Sequence, residues 1–296
     1  PIVTGDFVDV VGDTSGAKDT LARIVRLGER TSVLRRSADD TDPSERVVVA
    51  NAQQLVIVVA AANPEPRTGF IDRAVVAAVD AGIEPILCIT KTDVRYPQHL
   101  LDYYAASGLK IVLSASSDGL APSQDGAQGL ESAPVQELLQ ELLGEVSVLL
   151  GHSGVGKSTL VNALTGSDRA TGHVNAVTGR GRHTSSSALA LRPVERDGRP
   201  VPAGTWIIDT PGIRSFGLAH VPRETVVDAF VDLAPGAADC PKGCTHAAQA
   251  PDCGIEAYVA AGKAGPSGPE RLESLRKLLL LTPEEGDSEK ELGALA

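Results

Sequence analysis

Two segments of the 296-residue chain concentrate side chains whose types and spacing can do chemistry. The first, Gly151-His152-Ser153-Gly154-Val155-Gly156-Lys157-Ser158-Thr159, matches the glycine-rich pattern that cradles phosphate groups. Glycines let successive backbone N–H groups curl around phosphate oxygens, and a helix starting just afterwards adds partial positive charge. On this pattern Lys157 reaches the β and γ phosphates of a nucleotide and the Ser158 hydroxyl ligates Mg²⁺. The second segment, Cys240-x3-Cys244-x-His246-x6-Cys253, offers four soft ligands, enough for a closed tetrahedral Zn²⁺ site. Three thiolates with no vacant position imply a structural metal and not a catalytic one.

A third group of residues would complete a nucleotide site. Asp209-Thr-Pro-Gly212 follows the apolar run Trp206-Ile-Ile, where Asp209 can hold the Mg²⁺ shell and the Gly212 N–H can sense a γ-phosphate. Thr90-Lys91-Thr92-Asp93 resembles the Asn-Lys-x-Asp guanine-reading motif of GTPases, with Thr90 in place of Asn. A carboxylate at Asp93 can accept two hydrogen bonds from the guanine N1–H and 2-amino groups, which adenine cannot offer in that geometry. Ser114-Ala115 resembles the element whose backbone N–H meets guanine O6. Gly179-Arg-Gly-Arg-His183-Thr184-Ser185 lies where a first switch belongs, making Thr184 a candidate for Mg²⁺ and the γ-phosphate. Many GTPases carry a water-positioning Gln directly after the second-switch Gly, but here that place holds Ile213. Slow hydrolysis alone and acceleration on a partner follow, with His183 as the candidate substitute.

These residues need rigid elements to bring them together. Leu55-Val-Ile-Val-Val-Ala is a continuous apolar strand, as expected when both faces of a parallel sheet are covered. A helix over residues 71–81 stopped by Gly82, strands over 84–90 and 110–114, a helix over 135–143, a strand over 145–150 and a helix from Ser158 follow. This alternation predicts a doubly wound α/β domain. Before it, Asp6–Val11 and the 22–27 run read as short strands of a small barrel. Residues 116–134 read as a long loop, and residues beyond about 220 turn helical. Cys88, alone in an apolar run, reads as a small buried side chain.

Composition narrows the class. An apolar fraction of 42% suits a globular protein with a core, and no run approaches the ~20 apolar residues of a membrane span. A net charge of -11 argues against indiscriminate coating of nucleic acid, although Arg23, Arg26, Arg30, Arg35 and Arg36 cluster near the N-terminus. Cysteines crowded beside a His, without a secretory signal, favour a metal over disulfides. The chain contains no Met, so it is expected to begin inside a longer gene product.

The order of the motifs is informative: base motifs at 90–93 and 114–115 precede the phosphate loop, so the domain reads as circularly permuted. Together with Gly-Arg-Gly-Arg-His-Thr, Asp-Thr-Pro-Gly-Ile-Arg, the Cys-Cys-His-Cys cluster and the Asn51 region, this order resembles the ribosome small-subunit-dependent GTPase A family (RsgA, also called YjeQ). The resemblance implies an OB-fold over residues 1–48 that lacks its first strands, a permuted G domain over 49–219 and a helical zinc domain over 220–296 with a flexible tail. It further implies a cytoplasmic, monomeric GTP hydrolase, active late in maturation of the 30S subunit, contacting 16S rRNA and stimulated by that subunit, with His183 as the catalytic residue. The cysteine spacing departs slightly from the family's common x4 and x5 gaps. A nucleotide-locked RNA-binding module with little catalysis, kept open by Ile213, is the alternative; an ATP-using kinase and a zinc-delivery protein stand further off.

Overall fold

The structure is a computed structural model that describes residues 1–15, 17–18, 20–37, 45–115, 133–167, 188–195, 200–210 and 217–282. At its centre a six-stranded sheet contains β5 (Gln54–Ala60), β6 (Glu84–Thr90), β7 (Lys110–Leu113), β8 (Val146–Leu150), β9 (Leu189–Leu191) and β10 (Trp206–Asp209). Their order across the sheet is β7-β6-β5-β8-β10-β9, all parallel except the antiparallel edge strand β9.

Strand periodicity sorts the side chains into two cores. Leu55, Ile57 and Val59 of β5 pack beneath α1 (Thr68–Asp80) and α2 (Gln98–Tyr104). Val56, Val58 and Ala60 face α3 (Ala133–Leu142) and α4 (Lys157–Thr165) on the other side. Every residue of β5 is therefore buried, and the doubly wound expectation holds. At the end of α1 the N–H groups of Gly82 and Ile83 turn back onto the Val79 and Ala78 carbonyls, so the helix stops where the sequence predicts.

The chain leaves β5 toward β6 and β7, then returns to place β8 on the opposite side of β5. That reversal opens a crevice at the carboxyl ends of β5 and β8, the position at which open α/β sheets bind ligands.

The N-terminal strands form two separate hairpins. Among the described residues β1 (Val8–Gly12) pairs only with β2 (Ala22–Leu27), and β3 (Val33–Ser37) only with β4 (Glu45–Ala50). No closed barrel forms among the described residues, because each of these strands has a single neighbour. β3–β4 instead docks Leu34 and Val49 into the core beside Ile71 of α1. The division expected between residues 48 and 49 falls inside β4.

A C-terminal helical lobe covers the outer side of α1. It comprises α5 (Arg223–Asp228), a short 3-10 helix (Ala234–Asp239), α6 (Gly254–Ala260) and α7 (Gly268–Leu279). Leu272, Leu275, Leu278 and Leu279 line one stripe of α7 and meet Phe230, Leu233, Ile255 and Val76 of α1. Among the described residues, no helix is long and apolar enough to cross a membrane.

Candidate functional site

The carboxyl ends of the parallel strands bring together motifs that are far apart in sequence. The glycine-rich loop follows β8 and Thr90–Asp93 ends β6, while Ser114 follows β7 and Asp209 ends β10. Gly151 allows this convergence, since a Cβ there would lie 2.5 Å from the Val58 carbonyl oxygen of β5. Gly156 adopts φ 89°, a left-handed conformation open to glycine, directly before the first turn of α4.

The base loop grips the glycine-rich loop directly. The buried Thr90 hydroxyl lies within hydrogen-bond distance of the Val155 carbonyl oxygen, at 2.5 Å, and of the Val59 carbonyl, at 3.2 Å. Lys91 Nζ donates to the Gly154 carbonyl, at 2.8 Å, and to that of Asn63. In a trans peptide the carbonyl and the following N–H point in opposite directions. Fixing the Gly154 and Val155 carbonyls toward the base loop therefore turns the N–H groups of Val155 and Gly156 away from it. Such a set of outward donors is what a phosphate nest needs. Burial holds the Lys91 ammonium below the usual lysine range, with the Asp93 charge opposing.

Two further bonds tie the base loop to its neighbours. Thr92 N–H donates to the Ser114 carbonyl at 3.2 Å, and Ser114 N–H donates to Ile89. Asp93 is exposed and Ala115 half-buried, while the Ser114 hydroxyl is buried without a hydrogen-bond partner among the described residues. His152 stacks its ring at a tilt on Phe70 of α1, 4.2 Å between centroids. Ser153 is exposed, and Ser158 and Thr159 are half-buried in the first turn of α4. Lys157 is buried; its Nζ pairs with Asp209 and donates to the Thr210 carbonyl at 2.6 Å. His183, Thr184 and Gly212 lie outside the described residues.

Sequence reasoning missed the segment between β5 and α1, which forms a further wall of the site. Arg95 Nε donates to the Ala61 carbonyl at 3.0 Å, and its guanidinium pairs with Glu65. Together with the Lys91–Asn63 bond, this laces residues 61–65 onto the base loop. No motif marks these residues, and their bonds run largely through backbone carbonyls.

The four predicted metal ligands do come together. One ligand atom from each of Cys240, Cys244, His246 and Cys253 lies within 4.8 Å of the others. His246 Nδ1 faces Cys240 Sγ at 3.5 Å and Cys253 Sγ at 3.8 Å, so Nδ1 is the nitrogen placed to coordinate. The Gly254 N–H donates to Cys240 Sγ at 3.2 Å. Burial, followed by the charges of Arg223 and Arg276, lowers the His246 pKa and keeps the ring in its ligating neutral form. Burial pushes the Cys244 thiol up to about 11, so a cation is what would hold that sulfur as a thiolate. Three sulfurs and one imidazole fit a closed tetrahedral ion. Cys88 is fully buried, and its thiol is pushed up to about 12 by desolvation, as a small apolar side chain would be.

A family model described as RsgA GTPase matches residues 27–219. Proteins named small ribosomal subunit biogenesis GTPase RsgA are similar along most of the chain. The one from Pseudomonas aeruginosa strain PAO1 is 34% identical over 291 residues, covering 96% of this chain and 76% of its own. That from Azotobacter vinelandii is 35% identical over 285 residues, with the same coverage of both. The structure of YjeQ from Thermotoga maritima matches with a TM-score of 0.62 at 25% identity, covering 94% of this chain and 85% of that one. YloQ, described as a circularly permuted GTPase, matches with a TM-score of 0.61 at 21% identity over 96% of this chain and 83% of its own. With the family model matching residues 27–219 and relatives above 30% identity along most of its length, this chain belongs to the RsgA GTPase family.

Proposed function

We propose that this GTPase acts as a late assembly factor for the small (30S) ribosomal subunit and that the subunit accelerates its hydrolysis. The observation that carries this reading is the direct bonding of Thr90 and Lys91 to the carbonyls of Val155 and Gly154, in a chain whose relatives carry that name. Asp93 reads the guanine edge, the Ala115 N–H meets O6, and the Lys91 stem lies along the base. Residues 151–159 hold the phosphates, Lys157 leaving Asp209 for the β and γ oxygens as they arrive. Asp209, Ser158 and Thr184 would hold Mg²⁺, which would supply charge neutralisation on the phosphates. The Gly212 N–H senses the γ-phosphate.

Ile213 cannot orient water, so His183 takes that role once the first switch is ordered, and hydrolysis is slow without the subunit. Cys240, Cys244, His246 and Cys253 would hold zinc, which would supply a structural cross-link and no catalysis. The chain divides into an N-terminal OB-type region, a permuted G domain and a zinc-binding helical domain. It works as a monomer in the cytoplasm, where 16S rRNA meets its N-terminal arginines. Single-turnover hydrolysis with and without purified small subunits tests this. Stimulation that is lost in His183→Ala is the expected result; equal rates with and without subunits contradict it.

A further inference from the structure

Between α1 and the C-terminal lobe lies a buried polar joint. Arg271 of α7 is 3% exposed, Asp72 of α1 is 2% and Asp232 is 7%. Arg271 pairs bidentately with Asp232, both bonds 2.9 Å, and donates through Nη1 to Asp72 Oδ1 at 2.8 Å. Asp72 also accepts from the hydroxyls of Tyr103, Tyr104 and Ser274. The guanidinium lies over the Phe230 ring, 4.4 Å from its centroid. Burial raises the Asp72 pKa, with the Arg271 charge opposing, so this carboxylate depends on its partners. Sliding α7 on α1 would break the Arg271–Asp72 and Ser274–Asp72 bonds together.

The joint continues in both directions. On the lobe side, Arg276 of α7 donates to the His246 carbonyl at 3.0 Å, and Arg223 bridges the carbonyls of Leu279, at 2.8 Å, and Thr245, at 3.1 Å. α7 is thereby bonded to the loop that carries the metal ligands. On the sheet side, α1 begins at Thr68, three residues beyond Glu65, whose carboxylate Arg95 holds; Lys91 holds the Asn63 carbonyl just before it. Both cations belong to the base loop. Bonded contacts therefore run from the guanine-side loop through 61–65, α1, Asp72, Arg271 and α7 to the metal-ligand loop, without passing through residues 211–216.

We propose that Asp72 and Arg271 are positioning residues that link guanine nucleotide occupancy to metal binding in the C-terminal lobe. The inference rests on the nucleotide reading above. This route starts from the base loop and does not pass through the second switch, so it responds to GDP and GTP alike. It reports whether the site is filled, leaving the second switch to report which nucleotide fills it. Linkage is reciprocal: if nucleotide tightens metal binding by some factor, the metal tightens nucleotide binding by the same factor.

The test measures GDP and GTP affinity of the full chain loaded with Zn²⁺ and after its removal. In parallel, Zn²⁺ affinity is measured by chelator competition with and without GDP. Removing zinc is expected to weaken both nucleotides by the same factor, at least about fivefold, and GDP is expected to tighten zinc by that factor. In Asp72→Asn, and more mildly in Ser274→Ala, zinc and GDP should each still bind while the linkage factor falls toward one. Unchanged GDP affinity in the zinc-free wild type overturns the proposal, as does an undiminished factor in a folded Asp72→Asn protein. A factor seen with GTP alone assigns the link to the switch and overturns the base-side route. Should the zinc-loaded wild type bind no GDP at all, the nucleotide reading itself fails, a distinct result.

Discussion

The nucleotide crevice and the metal-ligand cluster rest on unequal amounts of prebuilt scaffold. The crevice draws on residues from 61 to 210 at the ends of strands whose core includes the fully buried β5. The cluster lies within residues 240–253, between a 3-10 helix and a two-turn helix, with Cys253 alone of the four ligands buried. Loss of a ligand contact in the crevice should therefore weaken binding and spare the fold. In the cluster, binding free energy is folding free energy.

Substitutions can break or sharpen that contrast, and the largest effect belongs to the cluster. Cys253→Ser, or chelation of the metal, is expected to remove on the order of 10 kcal/mol from the lobe. Circular dichroism should register loss of C-terminal helix while the central sheet persists. Arg271→Met comes next, because it strands two buried carboxylates; a cost of about 3–5 kcal/mol in denaturant unfolding is expected, confined to docking of the lobe. In the crevice, Lys157→Ala should lower GTP affinity about 100-fold, the loss of a charge-assisted contact of about 3 kcal/mol, in an equilibrium titration. Thr90→Val removes one hydroxyl and should weaken GTP, GDP and ATP alike by about fivefold, with Thr90→Ser restoring them. Unequal losses among the three would assign Thr90 to base reading instead of to shaping the phosphate loop.

The smallest effect lies at the N-terminus. The hydrogen bond from Arg30 holds the Asp6 carboxyl below its ordinary value of 3.8. A carboxyl lowered in the folded state adds stability above its unfolded pKa and loses it as pH falls through the folded one. Acid melting below about pH 4 should cost less than about 1 kcal/mol from this pair, and Asp6→Asn should remove that pH dependence.

What could be read in advance follows the same divide between local and distant causes. β5 is a nearly continuous apolar run, β6, β8 and β10 are mostly apolar, and the phosphate loop and the metal ligands each lie within one short segment, so each is legible. β9 spans three residues, too few for a pattern, and its antiparallel pairing depends on β10. The small barrel expected from the β-rich N-terminal runs is not closed among the described residues, because such runs carry no pairing information; β1–β2 and β3–β4 form separate two-stranded sheets. Asp72 interrupts an apolar helix face, a visible sign of a buried partner, yet that partner lies 199 residues away. Thr90 reads as a weakened Asn, whereas its hydroxyl meets the Val155 carbonyl in space. His183, Thr184 and Gly212 rest on motif spacing alone.

Everything proposed for the crevice depends on guanine selection by a loop that precedes the phosphate loop in sequence. Equilibrium titration of the zinc-loaded protein with GTP and ATP in the presence of Mg²⁺ measures it directly. GTP should bind at least about 100-fold more tightly than ATP, and Asp93→Asn should erase most of that preference. Equal affinity for the two nucleotides, or a preference untouched by Asp93→Asn, would contradict it.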